Sequence, residues 1–124
     1  MPGVAKTVLI VEDGETLNKM LRFLFSARNY KVESAKNGLE ALDLLESKGA
    51  DLILLDLMMP TMDGYEFGER IKNDSRFNKT PVIVLSTLKE SQNRDKLESM
   101  NIHAYVQKPF NSAELVAMVE KVLA

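Results

Sequence analysis

Three short runs of this chain are apolar at nearly every position: TVLIV at 7–11, LILLD at 52–56 and PVIVLS at 81–86. A strand with one solvated face alternates apolar and polar residues, whereas a strand covered on both faces does not. These runs therefore predict the interior of a sheet with a helical layer on each side. Two further runs, YKVESA at 30–35 and HAYVQ at 103–107, are more polar and suit the sheet's edges. Between the runs, apolar residues recur at helical spacing: Leu17, Met20, Leu21, Leu24 and Phe25, then Leu39, Leu42 and Leu45, and finally Leu115, Met118, Val119 and Val122. Asn37 with Glu40, and Asn111 with Glu114, have the spacing of capped helix starts. Another helix is predicted to begin near Met62 and to carry Phe67 and Ile71. KESQNRDKLESM at 89–100 reads as helical with only Leu97 and Met100 as anchors.

Strand and helix alternate strictly, five times over. That pattern predicts an α/β fold, a (βα)5 doubly wound parallel five-stranded sheet with helices on both faces. With the three apolar strands central and the two polar ones outside, the order is 2-1-3-4-5, flavodoxin-like. Its ligand site lies beyond the carboxyl ends of the first and third strands. At 124 residues the chain is one domain's worth, spanning 1–124, with 1–5 as an N-terminal tail and no room for an output domain.

Composition removes several functions. The net charge is −2 and the charges are mixed, so no basic stripe exists to neutralise a phosphate backbone, and nucleic-acid binding is not expected. Without cysteine there is neither disulfide nor thiolate metal site. No apolar run approaches the ~18 residues of a membrane span, and Glu12 with Asp13 interrupts the N-terminal apolar stretch too early for a signal peptide. The expectation is a soluble, cytoplasmic protein with no membrane contact.

The first strand ends in two adjacent acids, Glu12 and Asp13, which repel each other and are costly beside a low-dielectric sheet. Either they lie in solvent or something positive sits between them. In the predicted topology Asp56 ends the third strand, Ser86 the fourth, and Lys108 follows the fifth, so all five residues reach one edge. Three carboxylates there carry about −3, which an oxygen-loving divalent cation and the Lys108 ammonium roughly offset. Magnesium suits such a site, because it takes one or two protein carboxylates, keeps several waters and recruits phosphate oxygens. A carboxylate beside it, with a hydroxyl and an ammonium opposite, is equipped to accept a phosphoryl group. Taken singly, each residue has an ordinary explanation. Glu12 and Asp13 are also suited to cap the first helix, Asp56 to a turn, Ser86 to another cap and Lys108 to solvent.

The segments VEDGE, LILLDLMMPTMDGYE, PVIVLST and YVQKPF resemble, in order and separation, the signatures of two-component response-regulator receiver domains, over essentially the whole chain. The sheet order 2-1-3-4-5 is also that family's own. The resemblance implies a signalling domain, not an enzyme acting on other substrates, that promotes only its own phosphorylation and dephosphorylation. Asp56 would accept phosphate from a sensor histidine kinase or a histidine phosphotransfer protein. Asp13 and Asp56 would hold Mg2+ (or Mn2+) directly, the Met58 backbone carbonyl would be a further ligand, and Glu12 would act through water. Ser86 and Lys108 would hold the phosphoryl group. Ser86 and Tyr105 would form the switch, Ser86 moving toward the phosphoryl group and vacating space for Tyr105. The Lys108–Pro109 peptide would be cis. A downstream effector protein would read the face made by the fourth helix, fifth strand and fifth helix, with the chain a monomer or a weak, phosphorylation-dependent dimer.

Some positions depart from the commonest family pattern. Thr87 stands where Ala or Gly is usual and is expected to narrow access to the pocket, while Met58 and Leu88 replace polar residues that can orient water. Met58, Met59 and Met62 are read as packing around a turn near Pro60 and Gly64, and His103, with no partner ligand, as a surface residue. A haloacid-dehalogenase-type phosphatase would need a second Asp at the position of Met58. A flavodoxin-type carrier would need a hydroxyl-rich loop where this chain has EDGET.

Overall fold

The protein is described from a computed structural model, over residues 5–58 and 62–124. Five parallel strands, β1 (Thr7–Val11), β2 (Lys31–Ala35), β3 (Leu52–Asp56), β4 (Val82–Ser86) and β5 (Ala104–Gln107), form one sheet in the order β2-β1-β3-β4-β5. The helices are α1 (Glu15–Ser26), α2 (Gly38–Lys48), α3 (Gly64–Lys72), α4 (Arg94–Leu97) and α5 (Ser112–Leu123). The three apolar runs are central and the two polar runs are edges, as their patterns predict.

The strand repeat of two sorts the sheet's side chains into two cores. Val8 and Ile10 of β1, with Leu52, Leu54, Ile83 and Leu85, pack against Leu21 and Phe25 of α1 and Leu115, Val116 and Val119 of α5. Leu9 and Val11, with Ile53, Leu55, Val82 and Val84, face the other way, onto Ala41 and Leu45 of α2, Phe67 and Ile71 of α3, and Leu97 and Met100. Each fully buried aliphatic or aromatic side chain contributes roughly 1.5–3 kcal/mol of transfer free energy. Two filled faces therefore hold the sheet rigid and its carboxyl edge in register.

Helix starts follow local chemistry. The Asn37 side chain accepts from Glu40 N (2.9 Å), and the Glu40 carboxylate reaches back to Lys36 N (3.0 Å). Asn111 accepts from Glu114 N at 3.0 Å. The helix expected near Met62 begins at Gly64, because Asp63 accepts from Glu66 N (2.9 Å) and takes the N-cap. Met62 instead is buried and packs beside Gly38, where a Cβ would come within 2.7 Å of its side chain.

The largest departure is the segment 89–100. In place of a continuous helix it holds one 3-10 turn, Glu90–Gln92, and a four-residue α4. Asn93, at φ −135° and ψ 26°, leaves the helical region between them, and its side chain turns inward to polar partners. Two apolar anchors, Leu97 and Met100, are buried as expected but cannot hold three turns of helix. Two residues assigned to apolar stripes, Met20 and Leu39, are exposed, and Ala41 takes the buried position in α2.

Candidate functional site

Sheet register brings the predicted residues to one edge. Val11, the last residue of β1, pairs with Leu55 of β3, and Asp56 beyond it pairs with Leu85 of β4. Ser86 pairs with Gln107 of β5. Glu12 N donates to Ala35 O (3.0 Å), prolonging the β1–β2 ladder by one residue, and Lys108 N donates to Ser86 O (2.7 Å). Each functional residue thus stands at the end of a strand, or one or two steps past it, and the strands cannot slip without exposing a core face. The Lys108–Pro109 peptide is cis.

Glu12, Asp13 and Asp56 each offer a carboxylate oxygen within 4.8 Å of the others. The Glu12 carboxylate is held at both oxygens: Oε1 accepts from Lys108 Nζ (3.0 Å) and Oε2 from Gly14 N (2.9 Å). Lys108 Nζ lies farther from Asp56 Oδ1, at 3.8 Å. Asp56 is only 6% exposed, and its Oδ1 accepts one long bond from Met58 N (3.3 Å). Burial, and then the negative charge of Glu12, push the Asp56 carboxyl up to about 6, against the opposing pull of Lys108 and the Met58 N–H. One ammonium does not compensate three acids. The donor set, all oxygen and converging on a common space, fits a hard divalent cation.

The ordinary explanations fare unevenly. Neither acid caps α1, whose N-cap is Gly14 with no side-chain bond. Ser86 caps no helix either, since the next helical turn starts after Lys89; its Oγ accepts from Leu88 N at 3.1 Å. Asp56 does close a turn through Met58 N. Lys108 is not a solvated lysine, its side chain being 17% exposed and paired.

Around this edge, Thr87 is exposed and Leu88 half-buried, while the Met58 side chain is 60% exposed and does not pack in the turn. Met59 and Pro60, also read as part of that turn, lie outside the described residues. His103 is exposed. Tyr105 is half-buried against the core beneath α2, α3 and α4, and its hydroxyl donates to Leu88 O.

Sequence reasoning missed three polar residues: Asn93, its partner Tyr65, and Asn18. Asn93 is buried beside Tyr65 and Tyr105: its amide nitrogen faces the carbonyls of Glu90 (2.9 Å) and Lys89 (3.2 Å), and its oxygen accepts from the Tyr65 hydroxyl (2.9 Å). The Tyr105 hydroxyl lies 3.4 Å from the same amide. Nothing in the polar string 89–96 distinguishes this asparagine. Asn18 is buried on the core-facing side of α1, where its spacing from Leu21 and Phe25 was a legible signal, a polar residue on an apolar stripe.

The response regulator receiver domain pattern matches residues 8–120. The polar-differentiation response regulator DivK of Brucella anthropi is 32% identical over 118 residues, 95% of this chain and 96% of that protein. The probable transcriptional regulator ycf29 of Porphyra purpurea is 33% identical over 116 residues, 94% of this chain but 56% of the relative, so the chain spans about half that protein's length. The crystallised chemotaxis protein CheY4 of Vibrio cholerae superposes with a TM-score of 0.89 at 28% identity, over 96% of this chain and 99% of its own.

Proposed function

The chain belongs to the response regulator receiver domain family, and from that premise we propose that it is a phosphoacceptor switch whose acceptor is Asp56. One observation carries the reading: three carboxylate oxygens within 4.8 Å of one another, with Asp56 buried beside Lys108. Asp13 and Asp56 would hold Mg2+, or Mn2+ in its place, with the Met58 carbonyl as a further ligand and Glu12 acting through water. When bound, the ion neutralises acid and phosphoryl oxygens together.

An Asp56 carboxylate oxygen attacks the phosphorus of a phosphohistidine; the P–O bond forms as the P–N bond breaks, and the imidazole leaves. Lys108 pairs with the transferred group. The Ser86 hydroxyl donates to a phosphoryl oxygen and, in moving toward it, gives up the bond its Oγ accepts from Leu88 N, which loosens the loop whose Leu88 carbonyl holds Tyr105. That exchange biases an existing equilibrium of α4, β5 and α5. Beyond promoting its own phosphorylation and dephosphorylation the chain is not an enzyme.

The phosphodonor is a sensor histidine kinase or histidine phosphotransfer protein, and a separate effector reads the output face in the cytoplasm. α1 rises directly from the acid pair and presents Phe23, 76% exposed, and Met20, an apolar area suited to a protein donor. The protein acts as a monomer or a weak, phosphorylation-dependent dimer and needs neither nucleic acid nor membrane. Among the described residues no helix is long and apolar enough to cross a membrane.

The test is incubation with a small phosphodonor and magnesium followed by intact-mass measurement. Wild type is expected to gain one phosphoryl group, and Asp56→Asn or excess chelator to abolish the gain. Undiminished incorporation in either case refutes the reading.

A further inference from the structure

Resting on the proposed metal site, we infer that Asn18 is a positioning residue for it, braced by Arg22. Asn18 is 7% exposed and shares the inward side of α1 with Leu21 and Phe25. A leucine there would extend the apolar stripe and suit a helix interior better than an asparagine. A buried amide persists at such a position only if its polar atoms are satisfied, and the partners of this one are specific.

Asn18 Nδ2 donates to the carbonyl oxygen of Glu12 (2.9 Å), and the backbone N–H of Asn18 donates to the carbonyl oxygen of Gly14 (2.8 Å). The second is the first i→i−4 bond of α1, which any residue at 18 would make; what the asparagine side chain adds is its hold on the carbonyl immediately before Asp13. Asn18 Oδ1 in turn accepts from Arg22 Nε (2.9 Å), one helical turn along, which sets the amide's orientation. Other groups of the loop are also tied: Glu12 N donates to Ala35 O, Gly14 N to Glu12 Oε2, and Lys108 Nζ to Glu12 Oε1. Among the three acids of the site, Asp13 alone is exposed. The Glu12 and Asp56 carboxylates are fixed by their own hydrogen bonds, whereas the place of Asp13 is set by the backbone that Asn18 holds.

Asn18 thus aims Asp13 without touching the ion. Groups that orient a ligand in this way typically change metal affinity by about 10–100-fold when removed. A purely structural asparagine would instead affect folding alone.

The experiment separates the two by titrating Mg2+ against the melting temperature of the full chain, for wild type, Asn18→Leu, Asn18→Ala and Arg22→Ala. Ligand linkage converts each curve to an apparent affinity, while the metal-free melting temperature reports the fold. Asn18→Leu is expected to need about tenfold more Mg2+ or beyond for the same rise, with its metal-free melting temperature close to wild type. Asn18→Ala covers the case in which leucine does not fold, and Arg22→Ala is expected to lie between. An unchanged Mg2+ dependence in the Asn18 variants, with or without a fall in the metal-free melting temperature, overturns the positioning role while leaving the metal site intact. A wild type with no Mg2+ response overturns the metal reading and this inference together.

Discussion

Replacing Asp56 by asparagine is expected to stabilise the protein in the absence of metal. The Asp56 carboxyl titrates near 3.8 in an unfolded chain and at about 6 in the fold, raised by burial and by Glu12. The native state therefore binds more protons than the unfolded state between those values, and stability falls as pH rises through that window. A gap of this size corresponds to roughly 3 kcal/mol at full value. The sheet edge opens to water, and screening reduces this to about 1–2 kcal/mol. The asparagine would keep the acceptor for Met58 N and carry no charge, and Lys108 retains Glu12 at 3.0 Å. The expected gain is about 3–8 °C in melting temperature at pH 8 in chelator, shrinking toward nothing near pH 4, where the native Asp56 carboxyl is as neutral as the amide. Scanning calorimetry of wild type and Asp56→Asn at several pH values, with and without Mg2+, is the assay. Magnesium should narrow the difference by stabilising wild type more. A variant less stable than wild type at pH 8, or a difference independent of pH, refutes the argument that Asp56 is held charged against its surroundings.

Other consequences can be checked separately. A Cβ on Gly64 would fall 2.4 Å from the Asp56 carbonyl oxygen and 2.6 Å from Leu57 Cα, both backbone atoms, whereas on Gly68 it would meet the flexible Met100 side chain; Gly64→Ala should therefore cost about 2 kcal/mol or more in denaturant unfolding, and more than Gly68→Ala. Asn93→Ala removes a buried polar anchor and should cost about 1–3 kcal/mol. Hydrogen exchange should quicken across 88–97 in that variant and, less strongly, in Tyr65→Phe. The phosphorylated form should be long-lived, because neither Met58 nor Leu88 can orient water; intact-mass measurement over time should show the Met58→Asn, Leu88→Glu double variant losing phosphate on the order of tenfold faster.

What the sequence by itself determined is the architecture and the edge on which chemistry gathers. Continuous apolar runs mark strands covered on both faces, and strict alternation with helical stripes leaves few topologies. The position of Glu12, Asp13, Asp56, Ser86 and Lys108 at strand ends then follows from register alone, because a strand buried on both faces cannot slide. Tertiary structure decided whatever depends on distance between segments far apart in the chain. Lys108 pairs with Glu12 more closely than with Asp56 although β3 and β4 stand between β1 and β5, a contact across the carboxyl edge of the sheet between residues 96 apart in sequence. Asn93 breaks the helix predicted over 89–100 because hydroxyl and carbonyl partners from α3 and its own loop surround it, and local propensity carries no trace of Tyr65. Gly64 is required at the start of α3 because the Asp56 backbone lies against it, a proximity created only when strand and helix pack. Asn18 stands between these cases: its place on an apolar stripe was visible, but the Glu12 carbonyl that explains it comes within reach only once α1 folds back over the end of β1.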